Sequence, residues 1–276
     1  MTKLVLDLDT GIDDAMALAF ACAWEEIELL GVTATYGNID VERAGQNTLD
    51  LLALFGREDI PVFRGAVQSS DPGWTAPHPA ASNKHGSNGI GNVVLPASGR
   101  ELESQGAVDF ILEDCDEYQE NLTLVATGPL TNLAACIDQD FDRFKQVGKI
   151  VVMGGALTVT GSVTPFSETN MGHDPRAADR VFQSGLPVTM VGLDVTLRTE
   201  WTLDDTQKWR ETGTLAGQKL ADIVDSYIRA YQKDDPERKG CALHDPLAVA
   251  VAVQVQVEEF TQLFSETNLT FLRNCL

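Results

Sequence analysis

Basic residues are scarce in this chain. Twenty lysines and arginines stand against 41 aspartates and glutamates, a formal net charge of -21 over 276 residues. That balance argues against binding nucleic acid or another polyanion over the general surface. No apolar run approaches the ~20 residues a membrane-spanning helix needs. The opening MTKLVLDLDTG has no apolar signal core with a small-residue cleavage site after it, so the expectation is a cytoplasmic protein with no membrane partner. Cys22, Cys115, Cys136, Cys241 and Cys275 are odd in number, widely spread and without a CxxC pair, which leaves disulfide frameworks and zinc sites unsupported. The length suits one large α/β domain over 1-276 with a sizeable core.

What the chain has in excess is acid in one place. Leu4 to Ala17, LVLDLDTGIDDAMA, carries Asp7, Asp9, Asp13 and Asp14 beside an apolar run. Leu4-Val5-Leu6 reads as a buried strand and Ala15 to Phe20 starts a helical pattern, so the acids lie in a strand-to-helix loop. In open α/β sheets that loop sits at the carboxyl end of a strand, where ligand sites form. Anions this close raise one another's pKa unless protonated, solvated or neutralised by a cation. Every candidate ligand in the loop is an oxygen, which points to Ca²⁺ or Mg²⁺ over Zn²⁺. The competing account has Thr10 or Asp13 capping the helix and the other acids solvated. Capping accounts for only part of the cluster.

Strand and helix signals alternate along the rest of the chain. Strands are expected at Ile27 to Thr35, Ile60 to Phe63, Leu122 to Ala126, Lys149 to Met153 and Val188 to Val191, with helices at Val41 to Phe55, Ala107 to Glu113 and Ala177 to Gln183. This alternation predicts a doubly wound, mostly parallel, Rossmann-like sheet with helices on both faces. Residues 65-99 form a long Pro- and Gly-rich loop around Pro72, Pro77, Pro79 and His85. Loops of that length in compact domains are usually functional or mobile. Thr202 to Gln232 reads as helical, with Tyr227 and Tyr231 one turn apart and more often core than ligand contacts at such spacing. A charged linker, Asp234 to Gly240, delivers Leu243-His244-Asp245-Pro246, followed by the apolar helix Leu247 to Val253.

Polar residues thus collect at strand ends. The ordered pieces DLDTGIDDA, TATYGN, KHGSNG, ATGPLTN, VMGGA, VTPFSETN and LHDPLAVA, from Lys3 to about Val253, resemble the inosine-uridine-preferring nucleoside hydrolase family. The resemblance implies hydrolysis of the N-glycosidic bond of small-molecule ribonucleosides to ribose and free base. It also implies a homo-oligomer, a dimer or tetramer. It implies a Ca²⁺ ion held by Asp9, Asp14, the Thr127 carbonyl and Asp245, with a metal-bound water as nucleophile. Asp13, Asn38, Glu168 and Asn170 would hold the ribose hydroxyls, and His85 and His244 would lie near the base. Asp9, His244 and Asn170 are the catalytic candidates.

The chemistry suits those residue types. Breaking an N-glycosidic bond passes through an oxocarbenium-like cation that carboxylates and amide oxygens stabilise. Asp9 would take the proton of the attacking water, and His244 would protonate the leaving base because an imidazole titrates near neutrality. Two features depart from the family. Ser162 stands where the family commonly has an Asn on the ribose 5′-hydroxyl, and the end of the chain after about residue 257 is atypical. Two alternatives stand beside this one: a haloacid dehalogenase-like phosphatase with Asp7 of DLDT as nucleophile, or a non-catalytic nucleoside-binding relative.

Overall fold

A computed structural model describes residues 1–76 and 84–275. Pro77 and Pro79 of the long loop therefore lie outside the described residues. In chain order the elements are β1 (Thr2–Leu8), α1 (Ile12–Ala23), β2 (Ile27–Ala34), α2 (Val41–Leu54), β3 (Val62–Arg64), β4 (Glu103–Gly106) and α3 (Ala107–Tyr118). After one 3₁₀ turn come β5 (Leu122–Ala126), α4 (Thr131–Phe144), β6 (Lys149–Met153), α5 (Thr169–His173), α6 (Pro175–Phe182), β7 (Val188–Val191) and α7 (Leu193–Thr196). The chain closes with β8 (Trp201–Thr202), α8 (Leu203–Arg210), α9 (Leu215–Asp234), β9 (Gly240–Cys241), α10 (His244–Ala252) and α11 (Val257–Asn274). None of these helices is long and apolar enough to cross a membrane.

The main sheet has seven strands in the order β4-β3-β2-β1-β5-β6-β7, each pairing parallel to its neighbour. Strand order reverses between β1 and β5. The loops that follow these two strands therefore diverge to opposite faces and leave a crevice between them, the place where open α/β sheets bind ligands.

Two layers of apolar side chains fill the space above and below the sheet. The pleat divides β1 between them: Leu4, Leu6 and Leu8 join the layer under α1, α9, α10 and α11, while Val5 joins the layer under α3, α4 and α6. Helix α1 is buried from Ile12 through Ala21, which suits its Ala- and Met-rich, apolar-all-round sequence. Helix α11 seals the first layer, with Phe264 against Phe20 at 5.7 Å and edge-on to Trp201 at 5.0 Å between ring centroids.

The structure departs from the sequence expectation in three places. The span read as helical from Thr202 to Gln232 is not continuous: it is two helices, split after Arg210 around Gly213, whose φ of 77° suits glycine. Strand β4, Glu-Ser-Gln-Gly, has no apolar run because it lies at the sheet edge, mostly exposed. The cap of α1 is Gly11, not Thr10 or Asp13, and its N–H donates to Asp14 Oδ2 at 2.7 Å.

Candidate active site

The loop after β1 and the loop after β5 meet at the reversal. Thr127 Oγ1 donates to Asp14 Oδ1 at 2.6 Å, so the first residue past β5 fixes a carboxylate from α1. Asn38, just past β2, donates from its backbone N–H to Asp9 Oδ2 at 2.6 Å. The short antiparallel pair of β8 and β9, with Leu243 N–H donating to Thr199 Oγ1 at 2.8 Å, carries His244 and Asp245 to the same place. Three strand ends and the start of α10 thus converge.

Asp13, Asp14 and Asp245 form a buried group whose oxygens lie within 4.8 Å of one another. Asp9 adjoins it, since its charge acts on Asp245. Burial, the largest cause, pushes Asp13 and Asp14 up to about 6. Burial and then the charge of a neighbouring acid, Asp14 for Asp9 and Asp13 for Asp245, hold these two well above the usual carboxylate range. Asp9 Oδ1 and Asp13 Oδ1 are buried and receive no hydrogen bond. Crowded, dry carboxylates with unused oxygens want a cation, and an all-oxygen donor set suits a hard one.

A cavity of about 450 Å³ opens above this floor. Asp13, Asn38, His85, Thr127, Ser162, Glu168, Asn170, His244 and Asp245 line it, so these sequence-named residues share one space. Asp9 and Asp14 are not on the lining surface but lie beneath it, 1% and 0% exposed. Asn170 spends its amide group on the carbonyls of Thr127 and Met153, at 2.6 and 3.1 Å, which leaves Oδ1 as the atom for a ligand. Glu168 caps α5, accepting from the backbone N–H of Asn170, Gly155 and Met171, and burial raises its pKa. Ser162, at the exposed mouth, shares its hydroxyl with Thr169 at 2.8 Å.

His85 accepts from the Ile12 backbone N–H at Nδ1, 3.1 Å away, and burial pushes its pKa down to about 4. His244 is likewise neutral at pH 7, at about 4 through burial. The sequence expectation that His244 titrates near neutrality is thus modified by its surroundings. What replaces a free imidazolium is a chain of hydrogen bonds. Tyr227 donates to Asp13 Oδ2 at 3.5 Å, and Tyr231 donates to Tyr227 at 3.2 Å. Each phenol has one proton, so the 3.2 Å contact between Tyr231 and His244 Nε2 is donated by the ring N–H, and Thr196 Oγ1, 2.8 Å from Nδ1, donates to it. Tyr227 and Tyr231, expected as core, line the cavity. Their one-turn spacing was the available signal, but a helix buried on several sides does not declare which face meets a ligand.

Asp7 lies elsewhere. It follows Val5 on the other face of β1, where Oδ1 accepts from Thr33 Oγ1 at 2.5 Å and Asn132 Nδ2 at 2.7 Å, and burial raises it to about 6. It is not among the cavity residues. A nucleophile turned away from the cavity does not fit the phosphatase alternative.

A parallel sheet with its ligand crevice at the reversal, floored by carboxylates and walled by histidine and tyrosine, gathers acid–base groups around one ligand cavity of an α/β fold. The sequence profile of the "inosine-uridine preferring nucleoside hydrolase" family matches residues 4–271, and the chain belongs to that family as a nucleoside N-ribohydrolase. Uridine nucleosidase 1 of Arabidopsis thaliana is 37% identical over 254 residues, 91% of this chain and 74% of that protein. The pyrimidine-specific ribonucleoside hydrolase RihA of Photobacterium profundum is 38% identical over 247 residues, 90% of this chain and 78% of that one. Among solved structures, a purine-preferring ribonucleoside hydrolase from Gardnerella vaginalis superposes with a TM-score of 0.93 at 38% identity, covering 98% of this chain and 99% of that one.

Proposed function

We propose that the chain cleaves ribonucleosides to ribose and free base with a calcium ion held by Asp9, Asp14, the Thr127 carbonyl and Asp245. The observation that carries this reading is the buried carboxylate cluster, with two oxygens that receive no donor, under a cavity of nucleoside size. When bound, the ion acidifies water and grips vicinal ribose hydroxyls.

The chain's own residues do the rest. Asp9, held at Oδ2 by the Asn38 amide, takes a proton from the attacking water. The water oxygen bonds to C1′ as the C1′–N bond breaks, and the bonding pair leaves with the base. Asp13 and the Asn170 carbonyl oxygen face the positive charge that grows on the ribosyl ring, and Glu168 adds negative charge near it. His244 and Tyr231 deliver a proton to the departing base. The donors of the resting chain run from His244 through Tyr231 and Tyr227 to Asp13, so the proton given to the base is replaced from solvent, and Asp9 returns to solvent the proton it took from the water.

The test is ribose release from inosine and uridine by the purified protein, before and after prolonged chelation and after return of Ca²⁺ or Mg²⁺. Activity is expected to vanish on chelation, return with Ca²⁺, and fall at least ~10³-fold in Asp9→Asn. Full ribose release from the chelated protein would sink the metal assignment, and an active Asp9→Asn enzyme would sink the base.

A further inference from the structure

Two cations hold the ring of Tyr231, Arg238 from outside the cavity and Lys84 from its wall. The Arg238 guanidinium carbon lies 4.7 Å from the ring centroid and the Lys84 ammonium 5.2 Å. Lys84 comes from the long loop and is itself fixed by an ion pair with Asp234, at 2.7 Å, at the end of α9. Arg238 lies between α9 and β9, and its backbone is tied at both groups: its carbonyl accepts from Gln232 Nε2 at 3.3 Å, and its N–H donates to the Asp235 carbonyl at 3.1 Å. In a chain so rich in acid, Arg238 makes no ion pair among the described residues. Its charge is directed at an aromatic face.

Arg238 does not line the cavity, so it does not touch a substrate there, whereas Tyr231 and His244 do line it. A cation over a phenol ring is attracted to the face and draws electron density from it, which makes the O–H a stronger donor. Burial raises the Tyr231 pKa, and the Arg238 charge opposes that rise. The neighbouring ring of Tyr227, edge-on at 4.8 Å and 73°, blocks rotation on another side.

We propose that Arg238, with Lys84, is a positioning residue for departure of the base: stacked on Tyr231, it holds the phenol oxygen where it accepts from the His244 ring N–H and donates to Tyr227, and so fixes the imidazole for protonation of the base. This inference rests on the assignment of Tyr231 and His244 to protonation of the leaving base. Its signature is selectivity by leaving group. A nucleobase leaves poorly as an anion, but p-nitrophenolate leaves without a proton.

The experiment compares kcat and KM for inosine, uridine and p-nitrophenyl β-D-ribofuranoside in the wild-type enzyme and in Arg238→Gln, Arg238→Lys, Lys84→Gln and Tyr231→Phe. Arg238→Gln is expected to lower kcat on both nucleosides about tenfold with KM within about twofold, and to leave kcat on the nitrophenyl riboside within about twofold. Arg238→Lys recovers part of the loss, and Lys84→Gln shows the same selectivity more weakly. Equal losses on all three substrates, or no loss on the nucleosides, would overturn the role of Arg238. If Tyr231→Phe is selective while the Arg238 variants are not, only the positioning role fails. If Tyr231→Phe is unselective, the assignment of Tyr231 fails and the inference falls with it.

Discussion

The hydroxyl of Thr127 donates to Asp14 Oδ1 at 2.6 Å, and this one bond joins the two loops that diverge where the sheet reverses. The Thr127 N–H extends the β1–β5 pairing by donating to the Asp7 carbonyl at 3.0 Å, so the side chain is aimed by the sheet itself. Asp14 is therefore oriented before any ligand arrives. Residues that orient a metal ligand in this way typically matter ten- to a hundredfold for affinity. Thr127→Val, which keeps the shape and removes the donor, is expected to weaken calcium binding by about tenfold or more in a calorimetric titration. Thr127→Ser is expected to retain it. Unchanged affinity in the valine variant would show that Asp14 needs no such strut.

If the proposed calcium sits on the acid cluster, its binding is linked to pH. Asp13 and Asp14 have folded-state pKa values of about 6, and Asp9 and Asp245 are raised further, all above the unfolded carboxylate value. The folded ion-free protein thus binds more protons than the unfolded chain in this window, and its stability falls as pH rises from about 4 through 6. A bound cation offsets the cost of the ionised form. The rise in melting temperature on adding calcium is therefore expected to be larger at pH 7.5 than at pH 5, measured by scanning fluorimetry. Equal rises at both pH values would place the ion away from these carboxylates.

Gly37 lies over Asp9. A Cβ at that position would collide with Asp9 Oδ2 and crowd its Cγ at 2.8 Å. Displacing a reacting group by an ångström can cost on the order of a hundredfold in rate. Gly37→Ala is expected to lower kcat/KM by about that factor for inosine and uridine and, because its backbone conformation and the buried Asp9 both oppose a Cβ, to lower the melting temperature as well. Wild-type activity in this variant would mean that Asp9 is free to move.

Away from the site, Asp114 is buried on α3 with Oδ2 unpaired. Burial, then the charges of Glu117 and Glu113, raises its pKa to about 7. As the folded value exceeds the unfolded one, the ionised form destabilises the protein, and this penalty grows as pH climbs from about 4 to 7. Asp114→Asn is expected to raise the melting temperature at pH 8 and to leave it nearly unchanged near pH 4. Thermal melts at the two pH values decide it.

The sequence by itself determined a good deal. Apolar runs of strand length alternating with helical patterns specify a parallel doubly wound sheet, because such strands are buried on both faces. Acids packed into one strand-to-helix loop mark a candidate cation site, because carboxylates that close need neutralising. Both signals are local, and local chemistry is what a sequence displays directly.

Tertiary structure decided the rest. Asp7 and Asp9 look alike in DLDT and an unbroken pleat would put both on one face, but β1 ends at Leu8: Asp7 stays in the strand against Thr33 and Asn132, and Asp9, past its end, joins the cluster. Tyr227 and Tyr231 carried a spacing more often found in a core than in a ligand wall, and only the packing of α9 beside His244 puts them on the cavity. Strand β4 was silent because an exposed edge needs no apolar run. That Lys84 and Arg238 meet on one tyrosine ring depends on the long loop and the segment before β9 folding to the same spot. Periodicity encodes which residues are buried; which residues become neighbours is set by the order of strands and the point at which that order reverses.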